Sequence, residues 1–221
     1  MLRKVSFLSV ILVIVACGGG GGSSNNGICS ATLYTPNYAA ASNMTLRKWN
    51  HLPIKVYFQT STPIGGTTIE DLVKDGFNKW EDDLSRDLWT EVTSATGADM
   101  TVKVEASAPQ TTLATTTVFF TGGTSTLTAA EMTIYTWSSI PQNNYDPTGC
   151  HEMGHALGIG GHSPSSLDMM YYTGNVSGLL TTPDLNTLRT AYCDFAVPSK
   201  AQSQAKPVGP LMSETEYYPS K

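Results

Sequence analysis

The chain has little histidine, little cysteine, no excess of basic charge and no apolar run long enough to cross a bilayer. Each shortage excludes something. Only 13 Lys and Arg stand against 18 Asp and Glu. The surface is therefore mildly acidic, and there is no basic patch to attract nucleic acid. The apolar run from Val5 to Ala16 is too short to span a membrane stably. Beyond Cys17 the cysteines are Cys29, Cys150 and Cys193, an odd number, so at most one internal disulfide forms and the pair stays open. No internal repeat and no second domain is visible.

What is present is concentrated in one segment. Three of the four histidines fall between residues 151 and 162. His151-Glu152-Met153-Gly154-His155 places two imidazoles one helical turn apart, and positions i and i+4 share a helix face, so both rings can point at one metal ion. Glu152 stands beside the first ring, where it can act on a water without occupying a coordination site. Gly158 follows where the helix must stop, Gly160-Gly161 supply freedom for a turn, and His162 comes next. A bare His-Glu-x-x-His arises by chance in about one chain of this length in every hundred or two. The added glycines and third histidine make chance a poor account. Asp146-Pro147 reads as the N-cap and first residue of a helix over about 147–157, with Cys150, Met153, Gly154 and Leu157 facing the core. His51, far upstream, reads as an exposed residue before a strand.

These residues resemble the metzincins, and most closely their matrixin-like bacterial members, whose pattern is HExxHxxGxxH followed by a methionine turn. Here His162 stands one place later than the strict pattern, an insertion the two glycines can absorb; otherwise Gly161 occupies the ligand position. The resemblance implies one catalytic Zn2+ on His151, His155 and His162, and Glu152 as general base. It implies Met170 of Leu167-Asp168-Met169-Met170-Tyr171-Tyr172 as the methionine under the metal. It offers Tyr172 as a contact for the oxyanion or substrate, against the plainer role of pocket wall. Structural Ca2+ is compatible with the family but unsupported by the sequence. The strand at 132–137 resembles the edge strand above the family's cleft, where an extended peptide would add by backbone pairing. Three imidazoles leave a fourth position for water, as in catalytic rather than closed structural sites. The expected activity is thus zinc-dependent endopeptidase hydrolysis of a peptide or protein substrate, by a monomer. The competing reading is a non-catalytic, zinc-containing surface lipoprotein for binding or adhesion, to which Glu152 would be of no use.

The start of the chain reads as an address. Arg3-Lys4, the apolar run to Ala16, and Ile14-Val15-Ala16-Cys17 resemble a bacterial lipoprotein signal, implying cleavage before Cys17 and lipidation of its thiol. The rival is an ordinary cleaved signal peptide. Organisation follows: 1–16 signal peptide, 17–28 lipidated cysteine and Gly/Ser-rich tether, 29–195 catalytic domain, 196–221 poorly ordered tail. The expected location is an exported bacterial lipoprotein, anchored to a membrane, in the outer membrane or at the cell surface.

Within 29–195 the pattern is α/β (α+β). Strands are expected at 53–58, 100–105, 116–120 and 132–137. Thr67-Thr68-Ile69-Glu70 reads as a capping box opening a helix with Ile69, Leu72, Val73, Phe77, Trp80 and Leu84 on one stripe. Thr182-Pro183-Asp184 caps a last helix carrying Leu185, Leu188 and Tyr192. Local patterns support a mixed sheet. The element order resembles the metzincin domain, a twisted mixed sheet with a long helix and an active-site helix.

Overall fold

The computed structural model describes residues 45–59, 67–106, 112–137, 140–173, 178–192 and 210–219. Two short strands, β1 (Thr45–Leu46) and β2 (Lys48–Trp49), precede β3 (Ile54–Phe58). In β3, Ile54, Val56 and Phe58 alternate with Lys55 and Tyr57, and the alternation buries one face. Helix α1 (Ile69–Leu84) follows, then β4 (Trp89–Val92), β5 (Met100–Glu105), β6 (Thr112–Thr121) and β7 (Thr126–Tyr135). Helix α2 (Tyr145–Ala156), β8 (Ile159–Gly160), α3 (Thr182–Tyr192) and β9 (Leu211–Pro219) complete the order.

The fold is mixed α/β. Seven strands form one twisted mixed sheet along the path β4-β3-β5-β7-β6-β9, with β2 also on β7; β1 and β8 pair separately. Strands β4, β3, β5 and β7 are parallel neighbours, while β6 runs antiparallel to both β7 and β9. β6 and β7 form a hairpin through Gly122-Gly123, closed by the Thr124 N–H donating to the Thr121 carbonyl at 3.0 Å.

The helix cap lies one residue later than expected. Thr68 accepts from the Asp71 N–H and Asp71 accepts from the Thr68 N–H, because aspartate does the third-position work assigned to Glu70. Val73, Phe77 and Trp80 of α1 are fully buried. α1 crosses α2 at two glycines. A Cβ on Gly149 would sit 2.7 Å from the Val73 carbonyl oxygen, and one on Gly76 would run into the backbone of Asp146 and Cys150. The close crossing lets the Trp80 indole donate to the Cys150 carbonyl at 2.8 Å. The site helix is thereby fixed to the long helix by backbone as well as side chains.

Two further expectations are corrected. The strand at 132–137 is not an edge. Through Tyr135 it is the second half of β7, paired on one side with β5 and on the other with β6, because the hairpin folds it between β6 and β5. The tail over 196–221 is not unstructured throughout: Leu211–Pro219 is a strand pairing with β6 from Thr112 to Thr121. Its burial alternates, with Glu214, Glu216 and Tyr218 turned inward and Ser213, Thr215 and Tyr217 outward. Such alternation is a strand signal, masked in the sequence by its polar composition. The signal segment, Cys17, the tether, Cys29 and Cys193 lie outside the described residues. Among the described residues, no helix is long and apolar enough to cross a membrane.

Candidate metal centre

Helix α2 is buried almost all round, with every residue from Pro147 to Ala156 shielded. It therefore lacks the one-sided apolar stripe of a surface helix. It begins at Tyr145, before the expected Asp146-Pro147 start, because a 3-10 turn at Gln142–Asn144 feeds directly into it. Its C-terminal carbonyls have side-chain donors. The Trp49 indole reaches Ala156 O at 2.9 Å, and the Tyr192 hydroxyl reaches Leu157 O at 2.7 Å.

His151 and His155 lie one turn apart on α2, and both are buried. The Nδ1 of His151 donates to the Met169 carbonyl at 2.7 Å, and that of His155 donates to the Ile159 carbonyl at 2.7 Å. A carbonyl can only accept, so in both rings the proton sits on Nδ1 and Nε2 carries a bare lone pair. Those two Nε2 atoms face each other at 3.0 Å. Two lone pairs so placed repel unless a positive centre lies between or beside them.

The third ring arrives by a different route. After α2, Gly158 adopts φ 115, and a side chain there would collide with the Arg47 carbonyl. β8 then bridges β1, with Gly160 opposite Thr45. Gly160 is needed for space against the Thr45 hydroxyl, not for a left-handed backbone, which falls instead on Gly161 with φ 82. This β1·β8 bridge lies between the end of α2 and His162. Ring nitrogens of His151, His155 and His162 all lie within 4.8 Å of one another. The ring planes of His151 and His162 are nearly parallel, with centroids 5.3 Å apart.

The electrostatics keep all three rings neutral. Burial, then the neighbouring His155 and His162, hold His151 well below its ordinary value. Burial lowers His155 to about 4, against the pull of the Ile159 carbonyl. Burial and His155 lower His162 to about 4 as well, with Glu216 opposing. Among the described residues, His162 Nε2 is buried without a hydrogen-bond partner. Three neutral imidazoles drawn together, two with Nε2 lone pairs facing and the third with an unpartnered Nε2, form a donor set that could hold a metal ion and fits imidazole-binding divalent metals.

Glu152 is fully buried beside this cluster. One carboxylate oxygen accepts a short hydrogen bond from the Thr116 hydroxyl of β6, and the other, Oε1, has no partner among the described residues. Burial pushes the carboxyl up to about 8; the Thr116 hydrogen bond opposes the shift and Glu216 adds to it. A carboxyl with that value and one free oxygen is suited to accepting and releasing a proton near neutrality.

The Met169-Met170 turn lies under the helix. Met170 is fully buried, and a Cβ on Gly154 would clash with its sulfur, so the glycine inside the motif is a seat for this methionine. The turn is held by Asp184 of α3. Its carboxylate accepts from the Met169 N–H at 2.9 Å, the Met170 N–H at 3.3 Å, and the Thr181 N–H and hydroxyl. Thr181, not Thr182, caps α3, receiving the Asp184 N–H in return. Asp168 accepts from the Ser163 and Thr181 hydroxyls. Tyr172 is half-exposed against Tyr171, with ring centroids 4.5 Å apart. His51 is exposed and pairs with Asp99 at 3.0 Å, away from the cluster.

Sequence reading missed the site's contributions from elsewhere. Thr116 lies in a run of threonines with nothing to single it out. Tyr218 of β9 stacks on His151 with centroids 4.0 Å apart and planes at 24°. Glu216 accepts from the Gly161 N–H at 2.8 Å, and its other oxygen lies 3.9 Å from His162 Nδ1. Glu214 pairs with Arg47 at 2.6 Å. Compared with known proteins, the chain matches no protein-family model, and no curated protein is significantly similar to it.

Proposed function

We propose that the chain is a metzincin-like zinc endopeptidase, matrixin-like in its motif, exported and held at a membrane by a lipid on Cys17. The observation that supports it most is the meeting of three neutral imidazoles, with Glu152 next to the first of them in the chain, fully buried and with one carboxylate oxygen unpartnered among the described residues. The Met170 turn beneath the helix and the antiparallel β6 beside Glu152 agree with the same reading.

Residues His151, His155 and His162 would hold the metal. Zinc bound there supplies a Lewis acid for the scissile carbonyl and lowers the pKa of water. The chain's own part is positional and protonic. The Met169 and Ile159 carbonyls set the tautomer and orientation of two ligand rings. Thr116 fixes one oxygen of Glu152, leaving Oε1 to take a proton from the attacking water and pass it to the leaving amine. No side chain needs to become a covalent nucleophile.

One observation favours the alternative of a non-catalytic zinc-containing surface lipoprotein: His151 and Glu152 are wholly covered. Casein digestion separates the two. The endopeptidase reading expects slow cleavage that ends on chelation and in Glu152→Gln; cleavage that persists in Glu152→Gln, or none from any form with the cleft opened, rejects it. The anchor is tested by Cys17→Ser, which should move the protein from the membrane fraction to the soluble one.

A further inference from the structure

We propose that β9 is a tethered strand occupying the peptide-binding cleft, so that the chain as folded is self-inhibited until an extended peptide displaces it from β6. The inference rests on the endopeptidase reading above and adds the regulation of that site.

Three observations carry it. First, β9 takes the place that an extended peptide would need. β6 is the strand beside Glu152, and its outer edge is paired antiparallel along its length with Leu211–Pro219, Thr116 opposite Glu216 and Ala114 opposite Tyr218. Without β9, β6 would present an unpaired edge next to the metal cluster, the kind of edge that accepts a peptide as an added strand.

Second, each inward side chain of β9 meets a residue of the site or its rim. Tyr218 lies flat on His151. Glu216 binds the Gly161 N–H and faces His162. Glu214 pairs with Arg47, the residue whose carbonyl excludes a side chain from Gly158. Tyr218 is itself buried, and neither His151, on which it lies, nor Glu152 has exposed surface. While β9 is in place, Tyr218 covers the His151 face of the cluster, and only His162 keeps a partly exposed ring.

Third, β9 is built to leave. It lies at one edge of the sheet, on the far side of β6 from β7. Its outward residues are Ser213, Thr215 and Tyr217, and Leu211 and Met212 at its start are exposed, so little apolar area anchors it apart from Tyr218. Edge strands with few buried contacts sit at the low-stability end of a fold and open locally. A strand on the same chain competes at an effective concentration on the order of millimolar, enough to suppress weak peptides and yield to tight ones. Turnover of the closed protein is then scaled by the small fraction that is open.

The test uses the zinc-loaded full chain, Glu216→Gln/Tyr218→Ala, and Thr215→Pro, which leaves the inward side chains intact and disturbs the backbone of β9 together with the exposed Thr117–Thr215 hydroxyl contact. Cleavage of a quenched fluorescent peptide should rise at least tenfold in both variants. In the unmodified chain, an acetylated random-sequence hexapeptide hydroxamate library should speed amide exchange in residues 211–219 while α1 and α2 stay protected. This second readout needs neither catalysis nor a variant that folds. Equal turnover in all three proteins, or hydroxamate binding with exchange in 211–219 unchanged, overturns the inference and leaves the endopeptidase reading standing. Failure of the hydroxamates to bind any folded, zinc-loaded form removes both.

Discussion

The Nε2 atoms of His151 and His155 face each other at 3.0 Å while each ring's Nδ1 is committed to a main-chain carbonyl. Neither ring can turn its proton inward without breaking a buried hydrogen bond. The pair is thus preset as two electron donors, and neutral at physiological pH because burial holds both rings low.

Metal should therefore stabilise the fold. Purified protein is expected to hold about one zinc per chain, and saturating zinc at a hundred times its Kd should add about 2.7 kcal/mol. Calorimetric melting with and without chelator measures this. Full zinc occupancy in His162→Ala would show that the third ring is no ligand.

Glu152→Gln keeps the shape and the Thr116 contact but cannot take up a proton. Zinc content and melting temperature should be retained, while peptide turnover falls by roughly 10²–10⁴-fold. Turnover equal to the unmodified protein would end the assigned proton-transfer role.

The metal-free protein should be most stable near pH 6.5. His155 and His162 are lowered to about 4 and His151 is lowered too, so as pH falls below 6.5 the unfolded chain binds protons the folded one refuses. Stability is lost on that side, by at most about 1.4 kcal/mol per pH unit for each ring. Glu152 acts oppositely. Raised to about 8 from 4.5, it keeps a proton that the unfolded chain releases, so stability is lost as pH rises through that window. Below 6.5 the three rings outweigh it, and from 6.5 to 8 it stands alone. Melting temperatures in chelator should peak near 6.5, and Glu152→Gln should abolish the decline toward pH 8. A steady rise to pH 8 in the unmodified protein would contradict the assignment.

Asp184→Ala should lower stability by about 3 kcal/mol, because it strands the buried N–H groups of Met169 and Met170 and removes the partner of the half-buried Thr181 N–H. Zinc affinity should fall with it, since the Met169 carbonyl orients His151. Denaturant titration and a competitive zinc assay separate the two effects. An unchanged zinc affinity would mean that the turn does not position the ring.

Gly149→Ala adds one methyl group at 2.7 Å from the Val73 carbonyl oxygen. Forcing the two helices apart should cost about 1–3 kcal/mol in thermal or chemical unfolding. A loss no greater than that of an exposed glycine-to-alanine change would show that the crossing is compliant.

The residues that chemistry demands close together in sequence were legible without coordinates. His151, Glu152 and His155 share one helix, where 3.6-residue periodicity alone sets their relation. Strong alternation likewise marked β3 and β5, and the apolar stripe marked α1. What could not be read depended on partners distant in the chain. Which strand lies at an edge is decided by how a hairpin folds back: β6 and β7 have similar local patterns, and only pairing with β5 placed β7 inside. Thr116 approaches Glu152, Asp184 approaches Met169, and β1 receives β8 through contacts that leave no periodic trace. Tyr218 reaches His151 from the far end of the chain. A tail rich in Pro, Ser and Lys looks unable to pack by composition. β9 forms all the same, because an unpaired edge on β6 offers backbone hydrogen bonds that no local propensity can reveal.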